Sequence, residues 1–234
     1  MGIYKILYRF QVDNGTTEEF ELNIETSGME LLTDRPKDMP EWARLAFQQC
    51  PHCPLSIQRH LYCPAAEKLV TLMKKFSSLV SYHKVRLEVI TEERMIAQLT
   101  TVQRAVGSLM GVIMATSGCP HMAFFKPMAR FHLPLASEDE TIFRAASMYM
   151  LAQYFRSRNK FEVDIKFEGL RQIYENTQLL NRYFAERLRV ASKTDSVLNA
   201  IVELDVYAQT MTIVIQESLG ELSYLFDSFL TKRL

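Results

Sequence analysis

The chain has 234 residues and a mass of 27.1 kDa, and its 48% apolar content is enough for a buried core in one large domain or two small ones. Twenty-seven Lys and Arg offset 27 Asp and Glu, so no overall field draws it to nucleic acid or to an anionic membrane. Eight Gly, eight Pro and four Cys exclude collagen, low-complexity disorder and a disulfide scaffold.

The N-terminal stretch MGIYKILYRFQVDNG alternates polar and apolar residues, where a signal peptide needs an unbroken apolar run. The most apolar stretches, Ser108 to Thr116 and Met211 to Ile215, fall short of the ~18 residues of a membrane span. A cytoplasmic location without membrane insertion is the expectation. Ile6, Tyr8, Phe10 and Val12 share one face of a period-2 strand, and Phe20, Leu22 and Ile24 repeat the pattern. Asp13-Asn14-Gly15 between them signals a hairpin turn. Its first strand carries basic residues opposite acidic ones on the second, an arrangement that favours pairing. Met39 to Phe47 reads as a short helix, and Pro64 to Leu79 as a longer one with Leu69, Leu72, Met73 and Phe76 on one stripe. Lys84 to Ile90 alternates again and supplies a third strand.

Helices follow. Thr91 suits the N-cap of a run from Glu92 to Ser117 that Gly118 ends. Ser137-Glu138-Asp139-Glu140 is a capping box opening a helix to Arg156. Phe161 to Phe167 reads as an extended lead into a helix from Phe167 to Ala191, with another from Asp195 to Glu217 and a short one after Gly220. The expected fold is α+β: a small N-terminal antiparallel sheet, hairpin plus third strand, packed with a C-terminal bundle of about four helices. No Pro, Gly or Ser-rich linker divides it, so 1–234 is expected to be a single integrated domain, with the sheet in 1–91 and the helical part in 92–234.

Charge is unevenly spread. Residues 1–50 hold five basic and nine acidic side chains, 51–134 hold ten and four, and 135–234 hold twelve and fourteen. The middle segment, opened by one residue, also holds every Cys and every His. Cys50-Pro51-His52-Cys53 resembles the knuckles of zinc ribbons, Cys63 and Cys119 complete a set of four, and zinc favours a closed tetrahedral site of such ligands. His52, His60 and His121 are alternate ligands. Pro54 forbids the positive φ usual after a ribbon's second Cys, and a second knuckle is missing. Cys-Pro also suits iron–sulfur ligation, but the tight grouping of three Cys is lacking. CPHC is likewise the tetrapeptide of thiol oxidases of thioredoxin fold, which needs a helix starting at the first Cys. Four unrelated buried thiols, with no cofactor, are the bland alternative.

Gly107, Gly111 and Ala115 leave a smooth helix face, read as a close helix crossing and secondarily as room for a ligand. The stretch from Cys119 to Pro134 reads as extended, so that Lys126, Arg130 and His132 could hold a carboxylate or phosphate. The Met, His and Cys of this stretch fit copper poorly. Dinucleotide, P-loop, H-E-x-x-H and G-x-S-x-G motifs are missing, no E-x-x-H pair suggests a di-iron site, and nothing indicates nucleic-acid binding.

The phrases CPHCPL, SGCPHMAFFKPMARFHLP and SMYMLAQYF resemble those of a family of uncharacterised bacterial proteins of similar length. The resemblance implies a bacterial, cytoplasmic setting and transfers no activity, cofactor or catalytic residue. The sequence therefore points to a non-enzymatic binding or regulatory module with a structural Cys-rich metal site, a protein partner, and a homodimer through exposed bundle faces. The alternatives are an enzyme or sensor with an anionic ligand near Arg130 and His132, and an iron–sulfur or thiol redox protein.

Overall fold

Period-2 alternation in the first ninety residues builds the sheet. The computed structural model describes residues 2–13, 15–76, 79–191, 196–217 and 219–231; Asn14 of the turn and Asp195 of the last long helix lie outside the described residues. Strands β1 (Ile3–Val12) and β2 (Thr17–Glu25) pair antiparallel with Tyr8 opposite Phe20. β3 (Glu30–Leu32) lies beyond β2, and β4 (Lys84–Ile90) pairs antiparallel with the other edge of β1. On the solvent face Arg9 sits opposite Glu19 and Glu88 and bonds both, at 2.6 and 3.1 Å. On the inner face Ile6, Tyr8, Phe10, Leu22 and Ile24 are fully buried. Helix α1 (Pro64–Phe76) covers them, Phe76 meeting Phe10 with ring centroids 4.7 Å apart.

The expected helix from Glu92 to Ser117 is two elements. Thr91 does not cap a helix; its N–H bonds the Arg94 carbonyl in a tight turn. The chain then returns as β5 (Met95–Thr101), pairing antiparallel with β4 and ending the sheet order β3-β2-β1-β4-β5. Helix α2 (Val102–Ala115) starts only after Thr101. The helix expected over Met39 to Phe47 shrinks to one 3-10 turn, Glu41–Ala43. Backbone pairing withdraws the rest: Leu45 N–H bonds Leu61 O and Cys63 N–H bonds Ala43 O, both at 2.9 Å.

The segment after Cys119 is compact, not extended. It forms a 3-10 turn at Ala123–Phe125 and a short helix α3 (Lys126–Arg130). Pro127 sits in the first turn of α3, where its missing N–H has no intrahelical partner to lose. The capping box at Ser137 and Glu140 opens α4 (Glu138–Arg158) as expected. After the extended lead come α5 (Glu168–Ala191) and α6 (Ser196–Glu217), then a 3-10 stretch Leu219–Phe226 and α7 (Asp227–Thr231). The protein is thus α+β, as the sequence implied.

One continuous core joins the sheet, α1, α2, the C-terminal half of α5 and the start of α6. A smaller cluster joins α4, the first half of α5 and the end of α6. Over Ser196–Ile215 α6 is long and apolar enough to cross a membrane, with mean hydropathy 1.2, although no stretch of that kind was expected; here it packs against α2 and α5.

Candidate functional site

The first candidate site is built from the loop before α1, the start of α1, the turn after α2 and helix α5. Cys50 and Cys53 are the ends of a turn closed by Cys53 N–H to Cys50 O at 3.0 Å. No helix begins there, which removes the geometry a thioredoxin-like redox pair needs. Cys63 is buried at the N-terminus of α1, with Pro64 at the first helical position and the Ala65 and Ala66 N–H groups donating to its sulfur. Cys119 is buried after Gly118; the Met122 N–H bonds its carbonyl at 3.1 Å, and the backbone amides of Met122 and His121 lie near enough to its sulfur to favour the thiolate. Those amides act against the negative end of the α2 dipole, which disfavours a thiolate there.

All four thiols are free, and within the set every pair is near enough for charge on one to act on another. Burial pushes the Cys50 thiol up to about 12 and Cys119 up to about 11, and raises Cys63. Their mutual charge adds to this. As isolated groups these three are neutral near pH 7, unlike reactive cysteines. Among the described residues no three His, Cys, Asp or Glu side chains are set to hold a metal ion as they stand. A shared ion therefore requires the sulfurs to turn toward one another.

Two histidines tie the loops. His121 Nε2 donates to the His52 carbonyl at 2.9 Å, and the two rings lie 4.0 Å apart. His52 Nε2 donates to the Asn176 carbonyl of α5 at 3.1 Å, which leaves Nδ1 unprotonated, buried and without a partner. Burial, then His121, lowers the His52 pKa. His60 is exposed.

Sequence reasoning missed Arg187. This α5 side chain is 1% exposed and donates to the carbonyls of Trp42, Arg44 and Leu45 at 2.7, 2.7 and 3.2 Å. None of the ion pairs formed among the described residues includes it. Burial lowers its pKa, and Cys63, Cys50 and Cys53 are the groups whose charge would raise it. A cation at this depth without a counter-charge costs several kcal/mol, so the thiols are the natural place for the missing negative charge.

The basic trio does not assemble. Lys126 donates to Gly28 O at 2.6 Å and pairs with Glu30 at 3.8 Å. Arg130 stacks over Tyr4 at 4.4 Å and reaches Glu93 at 4.0 Å. His132 instead bonds the Tyr8 hydroxyl and approaches Ser108 Oγ at 3.5 Å. Burial, with Arg144 nearby, pushes its pKa down to about 3.

His132 opens onto a second feature, a half-open cavity of about 220 Å³ lined by α2, the 122–136 segment, α4, α5 and α6. The small residues of α2 divide between the two roles foreseen for them. Gly107 takes the helix crossing, since a Cβ there would stand 3.7 Å from the Ala200 carbonyl of α6. Gly111 lines the cavity, and a Cβ there would meet no atom within 4 Å.

One family model matches residues 6–227, and it is described as a domain of unknown function. Neither a curated protein nor a solved structure matches the chain.

Proposed function

The chain belongs to that family, DUF6901, and from the arrangement of its cysteines we propose that it is a cytoplasmic bacterial binding or regulatory module, not a catalyst, clamped by one zinc ion on Cys50, Cys53, Cys63 and Cys119. The observation that carries the reading is Arg187: a guanidinium buried to 1% exposure, with no acidic partner among the described residues, set among three of these thiols. Neutral thiols leave that charge unbalanced. Four thiolates around a zinc dication carry a net double negative charge, which Arg187 partly neutralises through space while its N–H groups stay on backbone carbonyls.

The amides of Ala65, Ala66, His121 and Met122 lie near two of the sulfurs and favour their thiolate forms. Bound zinc supplies a crosslink between the loop before α1 and the turn after α2. Such a link contributes on the order of 10 kcal/mol, comparable with the whole stability of a domain. A reducing compartment keeps the thiols available for it.

Elemental analysis with a visible spectrum, on protein purified without oxygen, tests the reading. The expected result is one zinc per chain, no colour, and loss of the metal in Cys63→Ser. His52→Gln is expected to retain zinc; loss there would replace one sulfur by His52 Nδ1. A brown chromophore would move the reading to an iron–sulfur cluster. A metal-free protein with an unchanged thermal transition would overturn it.

A further inference from the structure

The cavity beside α2 has the make-up of a ligand site: mostly apolar walls with a few converging polar groups. Met122, Phe125, Leu204 and Met211 supply apolar surface, and the missing side chain of Gly111 supplies room. Two donor side chains on this wall lack partners that such groups normally find, and on the same wall the Glu203 carboxylate keeps one oxygen, Oε2, without a hydrogen bond. Asn181 of α5 is 2% exposed, lines the cavity, and its Nδ2 donates to nothing. Buried amides without a bond cost about 1–3 kcal/mol, so a donor left this way points to an acceptor that arrives from outside.

Arg144 of α4 is the second. Its Nη2 donates to the carbonyls of Met128 and Phe131 at 2.9 and 3.0 Å, and none of the ion pairs among the described residues includes it. The other charges on the wall cancel, because Arg104 pairs with Glu203 at 3.3 Å. His132, held by Tyr8 and Ser108, is neutral at ordinary pH. On the wall itself Arg144 is therefore the charge without an ion pair, with Glu140 of the same helix acting on it from outside the lining, beside an unpaired amide donor in a half-open, mostly apolar pocket.

We propose that this cavity binds a compact monocarboxylate with an apolar body, its carboxylate taken by Arg144 and Asn181 and its body packed over Gly111. Size sets the class. An apolar cavity of roughly 150 Å³ holds benzene, so about 220 Å³ accepts a ring or short acyl chain of that bulk with a carboxylate attached. Phosphate and sulfate match the charge but leave the apolar wall uncovered. The site does not depend on zinc, since none of its anchors is a cysteine.

Isothermal titration with benzoate and hexanoate, against benzamide and inorganic phosphate as controls, tests this on the full chain. Saturable binding of at least one acid is expected, at least tenfold tighter than benzamide or phosphate. Gly111→Leu is expected to weaken it tenfold or more without lowering Tm, because the added side chain enters open space and leucine is the better helix former. Arg144→Gln should reduce acid binding to the level of benzamide. Should that variant fail to fold, Gly111→Leu and the benzamide comparison still decide. Failure of both acids to bind at millimolar concentration, equal binding of benzamide or phosphate, or undiminished binding to Gly111→Leu would overturn the proposal.

Discussion

His132 should make the protein acid-sensitive by a calculable amount. An unfolded histidine takes up its proton near pH 6.5, whereas His132 in the folded protein stays neutral down to about pH 3. Between those values the unfolded chain binds one more proton, so stability is highest above the unfolded pKa and falls as pH drops, by about 1.4 kcal/mol per pH unit. From pH 7 to pH 5 the loss is about 2 kcal/mol. It barely depends on the folded value so long as that lies below about pH 4. For a chain of this size the loss corresponds to a Tm decrease of about 4–8 °C. Calorimetry of the parent and of His132→Gln, which keeps an acceptor for Tyr8, isolates the effect from other groups that titrate in the same range. The parent should lose that much more Tm than the variant over this interval. Identical pH profiles would refute the assignment of His132 as a buried neutral base.

Two further outcomes test the fold that positions these sites. Phe76→Ala removes a fully buried ring packed on Phe10 and Phe20, and should cost about 3–5 kcal/mol in urea unfolding at constant m. Ser137→Ala breaks the capping box of α4 and should cost about 1 kcal/mol, with a matching small loss of helicity by circular dichroism.

What could be read beforehand followed the strength of each pattern. β1, β2 and β4 were legible because one face is buried and the other charged, so alternation is written into the residues. β5 was not, because most of its side chains are exposed at the sheet edge and Met95-Ile96-Ala97-Gln98 suits a helix as well. Pairing with β4, a long-range contact, decides it. The prolines after Cys119 misled for a related reason: Pro127 is compatible with extended chain and with the first turn of a helix, and tertiary packing chooses.

The four cysteines were visible by type and spacing, yet Arg187, Asn181 and Arg144 were not singled out. The first two left a trace. Leu180, Phe184 and Leu188 form the buried stripe of α5, and Asn181 and Arg187 fall on it, polar residues where the period calls for apolar ones. Such breaks in a helical stripe mark the two proposed sites where no named motif does. Arg144 lies in a helix whose faces are weakly contrasted, and only the folded protein shows that its guanidinium faces inward.

The position of β5 governs how molecules of this protein tolerate one another at high concentration. Its seven residues carry no charge and no proline, and Met95 and Leu99 stand 60% and 73% exposed. No charge on the strand itself discourages a neighbouring chain from laying a strand alongside, the hazard that lysines on outer strands ordinarily suppress. Solubility should therefore be set less by the protein's overall neutrality than by this one margin, and Gln98→Lys is the smallest change that would guard it.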